Sequence, residues 1–241
     1  MSAWLEDFKS EFYLNFIKGD KWLWLVDGLK ATLKIAFFAV ILGIVIGVLV
    51  AVIRSSWDQN GKKLRGGAKF IMRILNFIAK TYLTVIRGTP VVVQLMIMYY
   101  VIFASSTNAI LIATMAFGIN SGAYVAEIFR SGIMSVDKGQ FEAGRSLGFN
   151  YIQTMWYIVI PQALKNVLPA LANEFITLLK ETSVAGYVTI TDLTRAGDLI
   201  RGKTFSAFMP LIAVALIYLV MVVILTWLVG ILERKLRTSD H

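Results

Sequence analysis

Few residues of this chain could do chemistry, and their types narrow what that chemistry is. Cysteine is absent, and the single histidine is the last residue, His241. Thiolate nucleophiles, disulfides, most transition-metal sites and a histidine-dependent triad are thereby excluded. A phosphate-binding loop is also missing. Gly61 precedes Lys62, but Ser56 stands where G-x4-G-K-[ST] needs its first glycine, and Lys63 takes the hydroxyl position. No catalytic residue and no metal ligand is assigned. What remains is a set of polar groups inside apolar runs. Asn120, Tyr124 and Glu127 recur at i, i+4 and i+7, one stripe of a helix. Lys180 and Glu181 are adjacent, with Glu174 on a related face. Thr89 can cap a helix that Pro90 opens, with Gln94 one turn on. Ionisable groups at membrane depth are costly and are candidates for solute contact by default. Arg87, Glu127, Lys180 and Glu181 could equally pair with one another and fix helix packing. The neutral Gln94, Asn120 and Tyr124 are the better solute contacts, because neutral groups can release what they bind.

A second constellation is the stretch FEAGRSLGFN at 141–150, a polar island in a chain that is 57% hydrophobic. Asp137 can cap a helix with Gln140 as its reciprocal partner, and Gly148 supplies a left-handed stop. Asn150 can cap a second helix with Gln153 in the same role, and Pro161 is expected to end it. The first helix exposes Gln140, Glu142 and Arg145. The second is apolar and can lie on a membrane bundle while the first projects as a docking knob.

The elements that must hold these groups follow from hydropathy. Ile35 to Ile53 carries no charge over 19 positions, Phe208 to Leu232 none over 25, and Ala109 to Ala126 none over 18. Such runs are long enough to span a bilayer. The first is too long for a signal-peptide core and is expected to stay as an anchor. Five spans fit, at about 27–53, 81–104, 108–129, 169–190 and 208–232. Span two is interrupted by Arg87, Gly88 and Pro90. Span four starts near Pro169, which puts Lys180 and Glu181 roughly 16–18 Å along it, near mid-bilayer. The expected division is an outer interfacial segment over 1–26, a membrane domain over 27–235 with a cytoplasmic loop at about 130–168, and a cytoplasmic tail over 236–241.

Orientation follows from lysine and arginine. Residues 54–80, 130–168 and the C-terminal end carry fourteen of them, against seven on the opposite side. The richer side is cytoplasmic, so the N-terminus is outside and the island faces inward. The net charge of +9 thus serves topology and the anionic inner leaflet, and nucleic acid is not needed to explain it. Trp22, Trp24, Trp57 and Trp227 fall near span ends, as an interfacial belt would.

With the residues laid out, Glu142-Ala143-Gly144, then Gly148, then Ile158-x-Ile160-Pro161 resembles the EAA loop of ABC importer permeases. The spacing matches throughout, with Gly144 in place of alanine and Ile160 in place of leucine. The likeness extends over RGTPVVVQL at 87–95, SGAYVAEIFRSGI at 121–133, IPQALKNVLPALANEF at 160–175 and LLKETSVAG at 178–186. These look like the polar amino-acid uptake branch of that family. The resemblance implies an all-α membrane protein with the type I importer permease fold, five spans and the N-terminus outside. It implies a coupling helix in which Gln140, Glu142, Ala143, Gly144, Arg145 and Gly148 meet a groove on an ATPase. Gly144 is expected to loosen that helix by about 1 kcal/mol relative to alanine while permitting close approach to a partner. The implied partners are two ATPase subunits, a second permease subunit (identical or paralogous) and an external solute-binding protein. No cofactor is expected on this chain; ATP and Mg belong to the ATPase. An amino-acid zwitterion needs a cationic or helix-end partner and a carboxylate or carbonyl, which Thr89, Gln94, Asn120, Tyr124, Glu127, Lys180 and Glu181 could supply. Two other classes compete: a secondary transporter or channel driven by an ion gradient, for which broken helices are apt, and a membrane scaffold without transport. No inverted repeat is visible, and a scaffold needs no mid-depth charge.

Overall fold

In a computed structural model of the chain, residues 2–61 and 64–237 are described. Lys62, Lys63 and the tail from residue 238, with His241, lie outside them. Among the described residues all regular structure is helical: α1 Ser2–Phe12, α2 Trp22–Asn60, α3 Gly66–Gly88, α4 Val91–Ile97, α5 Ala109–Met134, α6 Lys138–Ser146, α7 Tyr151–Thr154, α8 Ile160–Glu181, α9 Leu193–Thr204 and α10 Phe208–Arg237. Three of them, α2, α5 and α10, are long and apolar enough to cross a membrane. A fourth span is added if α3 and α4 with its following π turn, broken at Thr89–Pro90, count as one. Helix α8 is not among them, since Gln162, Lys165, Asn166, Asn173 and Glu174 lower its hydropathy.

Two boundaries differ from the sequence reading. Pro161 does not end the second helix of the island, because α7, a π turn at Met155–Val159 and α8 follow one another without a break. A proline ring in a regular helix would press on the carbonyl four residues back, here that of Tyr157. The π turn widens the backbone there, with the Ile160 N–H reaching Met155 O, and the chain stays helical. Pro169 likewise lies inside α8 instead of opening it. Consequently Lys180 and Glu181 are the last two residues of α8, and a 3₁₀ segment, Thr182–Val188, follows.

The chain divides into two compact units. The first comprises Met1–Ala39, Val91–Phe117 and Ile176–Leu225. Its core is Phe16, Leu25, Leu193, Ala196, Ile200 and Val214. The fully buried Asp192 caps α9 by accepting from the amides of Thr194 at 3.0 Å and Arg195 at 3.3 Å, and Thr32 Oγ1 accepts from Leu193 N at 3.2 Å. Burial pushes the Asp192 carboxyl above the usual range, against those hydrogen bonds. At the other end of α9 the Arg201 guanidinium, with Arg195 beside it, holds the Asp198 carboxyl below that range.

The second unit comprises Val40–Pro90, Gly118–Phe175 and Thr226–His241. Here α2 and α5 meet through small residues. A Cβ on Gly47 would stand 2.5 Å from Val125 Cγ1, and one on Gly43 3.0 Å from Ser121 Oγ. Backbones approach this closely only where side chains are missing. Val50, Ala79 and Ala126 complete the packing with Ile46, Ile53, Tyr82 and Leu83.

Candidate functional site

The knob at 137–159 lies wholly in the second unit. Asp137 caps α6 through a 2.6 Å hydrogen bond from Gly139 N. Gln140 is not its reciprocal partner: its side-chain oxygen instead accepts from Gln162 Nε2 at 3.2 Å, which ties α6 to the start of α8. Helix α6 stops in a Schellman turn. Gly148 has φ +81°, Phe149 N donates to Gly144 O at 3.0 Å and Gly148 N to Arg145 O at 2.9 Å. The capping box expected at Asn150 and Gln153 is present, with both hydrogen bonds at 2.9 Å. Phe141 packs on Val136, Val159 and Ala163 and holds α6 down.

This arrangement sorts the six coupling candidates. Gln140, Glu142, Ala143, Arg145 and Gly148 are exposed, whereas Gly144 is buried. A Cβ on Gly144 would stand 2.7 Å from Thr154 Cγ2 and 3.1 Å from Ile158 Cδ1. The close approach that Gly144 permits is therefore to its own chain, where α6 lies on α7, and the alanine of the motif would crowd that contact. The island's second helix is not covered on all sides: Thr154 and Val159 point inward, but Ile152, Trp156 and Tyr157 are each at least 66% exposed. With Leu147 they add an apolar flank to the polar knob.

Of the solute-path candidates, Thr89, Asn120, Tyr124 and Glu127 belong to the second unit. Thr89 closes α3 and donates its hydroxyl to Val85 O at 2.8 Å. Asn120 is buried, while Tyr124 and Glu127 are partly exposed on the same helix. Arg87 brings the latter two together: its guanidinium stands 3.6 Å from Glu127 Oε1 and lies 5.7 Å from the Tyr124 ring centre. Arg130 approaches the other Glu127 oxygen at 3.5 Å. Arg54, Lys80, Thr84, Arg87 and Glu127 line a cavity of about 380 Å³. The pairing of Arg87 with Glu127 expected as an alternative is thus observed. Gln94, Lys180 and Glu181 belong to the first unit, with Gln94 half-buried and Lys180 exposed.

Several polar residues that position these helices escaped the sequence reading. Ser121 Oγ donates to Glu174 Oε1 at 2.8 Å, and Tyr82 OH donates to Ile119 O at 2.6 Å. The signal for Ser121 was there, as it falls between Gly118 and Gly122, two small residues that mark a close helix contact. Trp24, assigned to the belt, lies under Lys203, whose Nζ is 4.5 Å from its ring centre.

Comparison with known proteins places this geometry. The family of binding-protein-dependent transport system inner membrane components matches residues 66–238. The arginine transport system permease protein ArtQ of Bacillus subtilis (strain 168) is 36% identical over 90% of this chain and 94% of its own length. The glutamine transport system permease protein GlnP of Escherichia coli (strain K12) is 36% identical over 88% of this chain and 93% of its own. A crystal structure of an amino acid ABC transporter with histidines superposes with a TM-score of 0.80 at 39% identity, covering 91% of this chain and 98% of that one. A family match across more than two thirds of the chain and a shared fold agree: the chain belongs to the binding-protein-dependent transport system inner membrane components.

Proposed function

We propose that the chain is the permease subunit of an ATP-driven importer for polar amino acids. As an inner membrane component of a binding-protein-dependent system it is not itself the ATPase; hydrolysis belongs to a partner, and a binding protein delivers solute. The observation that carries the reading is the exposed knob, a capped polar helix with Glu142 outward that ends on a left-handed glycine. The relatives' names supply the solute class. The finer assembly has five spans with the N-terminus outside, a second permease subunit, two ATPase subunits using ATP and Mg, and no cofactor or nucleic acid on this chain. In it the exposed Gln140, Glu142, Ala143, Arg145 and Gly148 meet the ATPase, while Gly144 acts from below by seating α6. Thr89, Gln94, Asn120, Tyr124, Glu127, Lys180 and Glu181 border the solute path, with Arg87 able to receive a carboxylate and Glu127 an ammonium. Reconstitution into vesicles tests this. The chain alone is expected to neither hydrolyse ATP nor take up amino acids, and uptake should require ATPase and binding protein together. Gradient-driven uptake by the chain alone would replace this reading with a secondary transporter.

A further inference from the structure

Helix α1 has a feature that the coupling and transport roles leave unused. Trp4, Phe8 and Phe12 recur every fourth residue with Leu5 beside them, and the row continues into Phe16, a member of the first unit's core. At 3.6 residues per turn Trp4, Leu5, Phe8 and Phe12 share one stripe about 100° wide. Glu6, Asp7, Lys9, Ser10 and Glu11 occupy the rest of the circumference. Yet every side chain described from Trp4 to Tyr13 is exposed, Trp4 at 67%. An amphipathic helix with its apolar stripe uncovered requires an apolar surface from elsewhere.

The far end of this segment is anchored firmly. After a π turn at Tyr13–Ile17, the fully buried Asn15 accepts from Thr204 Oγ1 at 2.7 Å and donates to Glu11 O at 2.8 Å. Lys21 Nζ closes the turn by donating to Leu14 O at 2.7 Å and Lys18 O at 2.8 Å. The segment is thus fastened to the end of α9, and its stripe is held at a set place in the first unit. That place is the start of α10. Trp4 and Phe8 share a cavity of about 670 Å³ with Phe205, Phe208 and Met209, with Asp7 and Glu11 at its edge. Phe208, Leu211 and Ile212 of α10 are themselves exposed, as side chains facing lipid are on a membrane helix. The α1 stripe continues that surface.

We propose that α1 lies in the plane of the outer membrane–water interface, with its aromatic stripe inserted among outer-leaflet lipids, and that the Asn15–Thr204 clasp makes it a lipid-borne support for α9. This rests on the orientation in the proposed function. Lipid is favoured over a protein partner because the stripe runs on into the exposed apolar surface of α10. The polar face holds three carboxylates and one lysine, so adhesion comes from the aromatic stripe and not from attraction to anionic headgroups.

The chain has no cysteine, so single introduced cysteines can carry a spin label without background. Leu5→Cys and Phe8→Cys on the stripe, and Glu6→Cys and Ser10→Cys opposite it, would be labelled in the assembled transporter in phosphatidylethanolamine–phosphatidylglycerol vesicles. Collision with oxygen and with a water-soluble nickel chelate is then measured. The first two labels are expected to favour oxygen and the last two nickel. Asn15→Leu should raise the mobility of the Phe8→Cys label several-fold. Four labels equally open to nickel would overturn the proposal, and stripe labels shielded from both reagents would show a protein surface there instead. An unchanged mobility in Asn15→Leu would remove the clasp. Because transport is not the readout, the proposed import activity can fail while α1 still reads as interfacial, and the reverse.

Discussion

Glu142 and Gly148 do different jobs in the same knob, and substitutions can separate them. Glu142 is exposed, so its carboxylate can accept charge-assisted hydrogen bonds from an ATPase groove, each worth about 1.5–3 kcal/mol. Gly148 has no side chain with which to make such a bond. Its φ of +81° reverses the chain so that Phe149 N can reach Gly144 O, and a Cβ there would meet nothing within 4 Å. The cost of a side chain at this position is therefore conformational, about 1–2 kcal/mol, and it falls on the direction of α6. Glu142→Ala is expected to weaken co-purification of the ATPase or uncouple hydrolysis from uptake, with normal membrane insertion. Gly148→Val should do so more severely, and Lys138→Ala, at the first residue of α6, should change little. Wild-type attachment and transport in both of the first two variants would reduce the knob to a connecting loop.

At the level of elements, the contact of α2 with α5 depends on the absence of side chains. Valine at position 47 would press on Val125 Cγ1 and on the Ala126 backbone N, 2.5 and 2.9 Å from its Cβ, and backbone cannot give way cheaply. Gly47→Val should cost about 1–3 kcal/mol by overpacking, read as a lowered unfolding midpoint of the detergent-solubilised complex. Gly230→Val, where a Cβ meets nothing within 4 Å, is the control and should leave the midpoint nearly unchanged. The uncharged runs, the capping box at Asn150 and the stop at Gly148 were all legible in the sequence, because each depends on residues close together along the chain. What was not legible depends on a distant partner. Gln140 turns to Gln162 and not to its own cap because α8 passes beside α6. Pro161 and Pro169 stay within helix where local rules would break it, and no local rule foretells the π turn that accommodates the first. The candidate path was legible in part: Arg87, Tyr124 and Glu127 do converge, but Ser121 became visible as a partner of Glu174 only with the fold.

For the whole molecule, α8 decides the side on which α9 sits. If α8 does not cross, α9 shares the side of the knob, and Arg195, Arg201 and Lys203 join an already basic cytoplasmic face, as a count of positive charge alone would accept. Packing favours crossing. Ile176, Leu178 and Leu179 of α8 are buried, so part of its surface faces protein and not lipid, and hydropathy undervalues such a helix. Its one charge nearest the middle of the helix, Glu174, accepts a hydrogen bond from Ser121 of α5, which lowers the cost of holding it there. In a chain without cysteine, Lys18→Cys, Lys69→Cys, Ser146→Cys and Gly202→Cys can be probed one at a time in intact cells with a membrane-impermeant maleimide. Gly202 is exposed near the end of α9 with open space around it, so the substitution should not disturb the fold. Labelling is expected at positions 18 and 202 from outside, and at 69 and 146 only after the cells are opened. Position 202 reacting only in opened cells, with position 18 still labelled outside, would mean that α8 does not cross and that the five-span topology is wrong. Position 146 reacting in intact cells would turn the knob away from any cytoplasmic ATPase and end the coupling role with it.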